Sequence, residues 1–159
     1  MTGETRRLTH KRSGIDSREH VVRSVFSPDG RQIAYGWGLG ASDCEEVRVI
    51  GIEGEEVGAV PRVLIQCETG TYNGPSAWLG GERLACLTLA EGTANLVLVS
   101  AADGSVTVLR RLPKQRVSFY TRFAAASPDG RFLAYNVQQG TTDLKTSASL
   151  RPTAAATSH

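Results

Sequence analysis

The chain has 159 residues, with 18 Lys and Arg against 16 Asp and Glu and a formal net charge of +2. That length suits one ordinary domain with a sizeable core. The basic residues are scattered apart from Arg6, Arg7, Lys11 and Arg12, too diffuse a charge for nucleic-acid binding. No stretch approaches the roughly 20 apolar residues that span a bilayer, and the opening MTGETRRLTHKRSG lacks the apolar core of a signal peptide.

Residues 21–26 read as a strand, and Ser27-Pro28-Asp29-Gly30 follows with the chemistry of a tight hairpin turn. Pro28 presets φ for the first turn position, Asp29 suits the next, and Gly30 can adopt the left-handed conformation that closes such a loop. A second strand at 32–36 follows, then a Gly- and Ser-rich loop at 38–44, an alternating strand at 46–52 and a fourth at 62–65, completing an antiparallel meander. The same order returns with strands at 74–78, 83–89, 95–100 and 106–110, where Gly80 and Gly81 take over the first turn. A third unit has a strand at 121–126, the turn Ser127-Pro128-Asp129-Gly130 and a strand at 132–137, and then fades.

The nine residues SPDGRQIAY from Ser27 recur as SPDGRFLAY from Ser127, with a weaker copy, WLGGERLAC, from Trp78. Starts at 27, 78 and 127 are 51 and 49 residues apart, a period in the range of propeller blades. Alanine holds the same place in each copy, as Ala34, Ala85 and Ala134, between larger apolar residues. Such strands are expected to be buried on both faces, with the small residue where two sheets approach closely.

At SPDGRQIAY and SPDGRFLAY the chain resembles the WD-like propeller repeat of the TolB-like family. That repeat is found in periplasmic TolB, in prolyl oligopeptidase-type propellers and in sensor regions of some bacterial receptor kinases. The resemblance covers about residues 5 to 140; Arg6-Arg7-Leu8-Thr9 looks like the last strand of a preceding blade. It implies an all-β fold, a partial β-propeller of four-stranded antiparallel blades. The expected layout is an incomplete propeller over 1–140, with a blade end at 5–10, complete blades at 20–66 and 73–112, and a partial blade at 119–140. An irregular or disordered tail follows over 141–159, where a truncated or altered reading frame is one explanation and a natural short homologue the other. Propellers close with about four to eight blades, so apolar residues such as Phe132 and Leu133 are expected to lie uncovered. The remaining blades of a parent chain, or a second copy of this one, would then complete the assembly.

Chemistry-bearing motifs are scarce. Gly36, Gly38 and Ala41 fit G-x-G-x-x-A after a strand, but 42–52 continues as strand rather than the helix a pyrophosphate site needs, so no cofactor is expected. No G-x-S-x-G nucleophile elbow occurs, and His10, His20 and His159 lie in loops or the tail without a recognisable triad partner. Asp29 and Asp129 are read as turn residues that hydrogen-bond local amides. Cys44, Cys67 and Cys86 have no CxxC spacing and no nearby histidine, which indicates neither a zinc site nor a disulfide framework and leaves buried or incidental thiols. Phe26, Tyr35, Trp37, Trp78 and Tyr135 are assigned to the core. Tyr72, Asn73, Arg116, Tyr120 and Arg122, in or beside loops at one end, make the candidate partner surface.

Two functional expectations stand. The first is a non-catalytic protein- or peptide-binding or sensor module, with no metal, no nucleic acid and no membrane insertion, part of a larger propeller protein; the resemblance implies a periplasmic or other extracytoplasmic location. The alternative is the substrate-gating propeller of a prolyl oligopeptidase-type serine peptidase without its hydrolase domain.

Overall fold

The computed structural model describes residues 3, 5, 7–9, 19–40, 42–53, 60–91, 93–112, 124–135, 137–139, 143–145 and 148–149. Every regular element among them is a strand. The first sheet orders β1 (His20–Phe26), β2 (Gln32–Gly38), β3 (Glu45–Gly51) and β4 (Arg62–Ile65) as an antiparallel meander. The second repeats it with β5 (Tyr72–Leu79), β6 (Arg83–Ala90), β7 (Thr93–Ser100) and β8 (Val106–Leu112). A third sheet orders β13 (Ala148–Ser149), β10 (Phe132–Tyr135) and β9 (Ala124–Ala126), while β11 (Val137–Gln139) pairs β12 (Asp143–Lys145). These are blades of a partial β-propeller, with β1 beside β5 and β5 beside β9 along the inner side.

The strands form from short apolar stretches, near-continuous in β2 and β6, where both faces are buried, and the two faces of each blade meet different neighbours. One face of the first blade presents Ala34, Val47, Val49 and Leu64 to Trp78, Leu84, Cys86, Val97 and Val99 of the second. The second blade's other face sets Ala77, Leu79, Ala85, Leu87, Ala94 and Leu96 against Ala124, Leu133 and Tyr135. Tyr35, Trp37 and Ile50 occupy the far face of the first blade, where Leu8 packs. Polar bonds cross the first seam: the Trp78 indole donates to the Val25 carbonyl at 3.2 Å, and the Arg62 guanidinium to the Ala102 carbonyl at 3.1 Å.

Both inner strands carry a β-bulge, between Val22 and Ser24 in β1 and between Pro75 and Ala77 in β5. Pro75 has no amide hydrogen, and a bulged strand at the edge of its sheet is where proline is tolerated.

Several expectations change. Ala34 and Ala85 are wholly buried, but Ala134 is exposed, because β10 alternates: Leu133 and Tyr135 turn toward the second blade, Phe132 and Ala134 away from it. Leu133 is therefore covered, whereas Phe132 is 50% exposed. Phe26, assigned to the core from sequence, stands 65% exposed at the end of β1, pointing off the seam. Residues 143–145 and 148–149, read as irregular tail, form strands, the latter adding an edge to β10. The expectation of free thiols fails for two of the three cysteines, since Cys44 and Cys67 form a disulfide with Cα atoms 5.6 Å apart. Cys86 is free and buried.

Candidate interaction surface

Antiparallel strands sort the connections to two ends of the blades. One end gathers the repeated turns: Ser27 to Gly30, Gly80 with Gly81, Ser100 to Ser105, and Ser127 to Gly130. In the first, the Gly30 amide donates to the Ser27 carbonyl at 2.9 Å, and Gly30 has φ 72°. Asp29 accepts from the Ser27 hydroxyl at 2.5 Å and from the Arg31 amide at 3.0 Å. The Ser127 turn repeats these bonds at 2.5 and 3.1 Å, with Gly130 at φ 65°. Gly80 has φ 63°, while Gly81 is not in the left-handed region. These hydrogen bonds hold the carboxyls of Asp29 and Asp129 below the ordinary 3.8. Asp103 is held down to about 2 by the Ser105 amide first and the hydroxyls of Ser100 and Ser105 next. Pro28, Asp29, Pro128 and Asp129 thus belong to turns whose polar groups are engaged with their own backbone.

The opposite end carries the β2–β3 loop, the linker from β4 to β5 and the β6–β7 turn. It is held by bonds between segments distant in sequence. The Glu45 amide donates to the Thr71 carbonyl at 3.0 Å and the Gly70 amide to the Asp43 carbonyl at 3.3 Å. Thr71 closes the linker on itself, its hydroxyl donating to the Glu68 carbonyl at 2.6 Å. The Cys44–Cys67 disulfide lies within this set. Two non-glycine residues here are left-handed, Asp43 at φ 46° and Glu91 at φ 47°, and a third, Arg23 at φ 48°, sits at the β1 bulge. Such conformations persist where the surrounding structure enforces them, and they concentrate at binding loops.

Of the residues assigned to a partner surface, Tyr72 begins β5 at this end and is half-buried. Asn73 is corrected to a structural role: it is 4% exposed, and its side-chain amide donates to the Glu45 carbonyl at 2.8 Å, tying the second blade to the first. Arg116, Tyr120 and Arg122 lie outside the described residues. The sequence reading missed Asp43, Glu68, Thr71 and Glu91; the Gly- and Ser-rich composition of 38–44 was the one local signal for the loop.

His20 packs its ring against Gly38. Burial pushes the Cys86 thiol far above its usual range, so it is not a thiolate nucleophile. Among the described residues no group of three His, Cys, Asp or Glu side chains is placed to hold a metal ion, and no helix is long and apolar enough to cross a membrane.

No family model and no curated protein matches this sequence. Solved structures do. TolB from Acinetobacter baumannii superposes with a TM-score of 0.60 at 16% identity, over 83% of this chain and 30% of that one. A puromycin-hydrolyzing peptidase from Mycobacterium tuberculosis gives 0.59 at 21%, over 80% and 20%. A structure from work on two prolyl endopeptidases gives 0.55 at 20%, over 95% and 24%. The chain thus spans less than a third of the length of each. At these identities the likeness concerns the fold, and that fold is a TolB-like propeller.

Proposed function

We propose that the chain is a non-catalytic interaction or sensor module of a larger TolB-like propeller protein, contacting a protein or peptide through the end that carries the β2–β3 loop and the β4–β5 linker. The observation that carries this is the asymmetry between the two ends. At the turn end the side chains of Ser27, Asp29, Asp103, Ser127 and Asp129 are engaged within their own turns. The loop end holds exposed Asp43, Glu68 and Glu91, with the Asp43 carbonyl tied to the Gly70 amide of the linker, Glu68 bonded to Thr71, and Asp43 and Glu91 in left-handed conformations. Rigidly held loops with exposed polar groups suit recognition, because less ordering entropy is lost on binding.

Photocrosslinking side chains placed singly at Asp43 or Glu68, and as controls at Pro28 or Glu82 on the turn end, test the reading in cell extract. Crosslinked adducts should form from the loop end. Adducts from the turn end alone would reverse the assignment, and labelling by a serine-reactive probe together with amidase activity would overturn the non-catalytic reading.

The likeness to two peptidase structures supports a second reading, a gating propeller beside a serine hydrolase domain. A G-x-S-x-G sequence encoded next to this chain would favour it over the first.

A further inference from the structure

We infer that the Cys44–Cys67 disulfide is a redox clamp on the loop end, closed only in an oxidising compartment, and that the shape of the linker between the two complete blades depends on it. The inference rests on the placement of the three cysteines and stands independently of whether the loop end binds a partner.

Cys44 is the last residue before β3 and is 3% exposed, its carbonyl accepting from the Leu39 amide at 3.0 Å. Cys67 lies in the linker from β4 to β5 and is half-buried, 23 residues further along. The residues on either side of Cys44 are the ones the linker grips: the Asp43 carbonyl takes the Gly70 amide, and Glu45 gives its amide to Thr71 and its carbonyl to Asn73. The disulfide is therefore the covalent member of a seam whose other members are a few hydrogen bonds, the longest at 3.3 Å. Most of this linker is exposed, with Gln66, Glu68, Thr69 and Gly70 facing solvent, so few apolar contacts remain to hold it when the bond opens.

Closure is ordinary thiol–disulfide exchange. One of the two cysteines attacks, as its thiolate, an external disulfide: an oxidised thiol–disulfide oxidoreductase or a low-molecular-weight disulfide. That forms a mixed disulfide and expels one thiolate. The second cysteine's thiolate then attacks the protein sulfur of the mixed disulfide, forming the Cys44–Cys67 bond and expelling the other. The two cysteine protons end on the two leaving thiols, and the external disulfide is reduced as the pair is oxidised. Cys86 takes no part, being wholly buried in the seam between the complete blades. Structural disulfides of this kind persist in oxidising compartments and are kept open by cytosolic reductants.

The full chain, purified after equilibration with oxidised glutathione, is alkylated under denaturing conditions before and after reduction and read by mass spectrometry. Before reduction only Cys86 should be labelled; afterwards all three. Reduction should lower the melting temperature by roughly 5–10 °C. It should also speed hydrogen exchange at the amides of Glu45, Gly70 and Thr71 by about tenfold or more beyond any change at Leu84 to Leu87 in the centre of β6. A Cys44→Ala/Cys67→Ala variant should match the reduced protein and ignore reductant. Should that variant not fold, the reduced native chain gives the same comparison. Labelling of Cys44 and Cys67 in the oxidised sample overturns the clamp, as does a closed bond whose reduction leaves linker exchange and melting unchanged. For the compartment, cells carrying the gene are lysed directly into denaturant with the alkylating agent, which should spare Cys44 and Cys67; labelling of both there overturns the oxidising location.

Discussion

The Ser-Pro-Asp-Gly turns illustrate how far single residues can be read. Proline, aspartate and glycine each have one conformational role in such a turn, and the bonds at Ser27–Arg31 and Ser127–Arg131 are nearly superimposable in length. Gly30 and Gly130 are left-handed, so valine at either should cost on the order of 1–2 kcal/mol, visible as a lower melting temperature. Gly104, at φ 75°, should tolerate valine less well than Gly30. A Cβ there would sit 3.2 Å from the Leu64 carbonyl oxygen of the neighbouring blade, whereas one at Gly30 meets open space. The aspartates add a pH dependence. Their folded carboxyls titrate below 3.8, so the unfolded chain binds more protons as the solution is acidified. Their stabilisation is complete above about pH 4 and drains away as pH falls toward the folded value, about 2 for Asp103. Asp103→Asn should therefore lose less melting temperature than the parent chain between pH 4 and pH 2. Cys44 and Cys67 mark the limit of residue-scale reading. Nothing in their spacing signals a pair, because the loop and linker that bring them together meet only once β2, β3 and β4 have formed.

At the scale of a strand, alternation reports which residues are buried only if both neighbouring sheets exist. Strand β7 has a blade on each side: Val97 and Val99 face the first blade, Leu96 faces the third sheet, and all three are buried. In β8, the outermost strand of the same blade, Val106 and Val108 are half exposed although equally apolar. Leu96→Ala should accordingly cost roughly 2–5 kcal/mol, and Val108→Ala within about 0.5 kcal/mol; denaturant unfolding of both variants measures the contrast. The alanine argument held for β2 and β6 for this reason and failed for β10. Ala34 faces the second blade and Ala85 the third sheet, while Ala134 turns away from the second blade to an exposed face. Asn73 was misassigned in a related way. A polar residue near a loop reads as surface, but its amide is buried against the Glu45 carbonyl of another blade, a contact only the packing of the blades creates.

For the molecule as a whole, the period of about 50 residues made the array of blades legible, and the seams follow from it. Neighbouring blades bury apolar faces against one another, so stability accumulates seam by seam, and a sheet face with no partner among the described residues can stay wet. The third sheet is in this position: Leu133 and Tyr135 complete the seam with the second blade, the Arg110 guanidinium lies 6.0 Å from the Tyr135 ring, and Phe132 projects the other way at 50% exposure beside exposed Ala134 and Ala125. An exposed aromatic on an apolar sheet face favours association. The chain should therefore show concentration-dependent self-association by light scattering, and bind an apolar dye, both reduced in Phe132→Arg. Because the Phe132 side chain lies off the seam, the same substitution should leave the melting temperature of dilute protein nearly unchanged. Equal association by both chains would mean that contacts elsewhere, such as the apolar edge at Val106 and Val108, drive it.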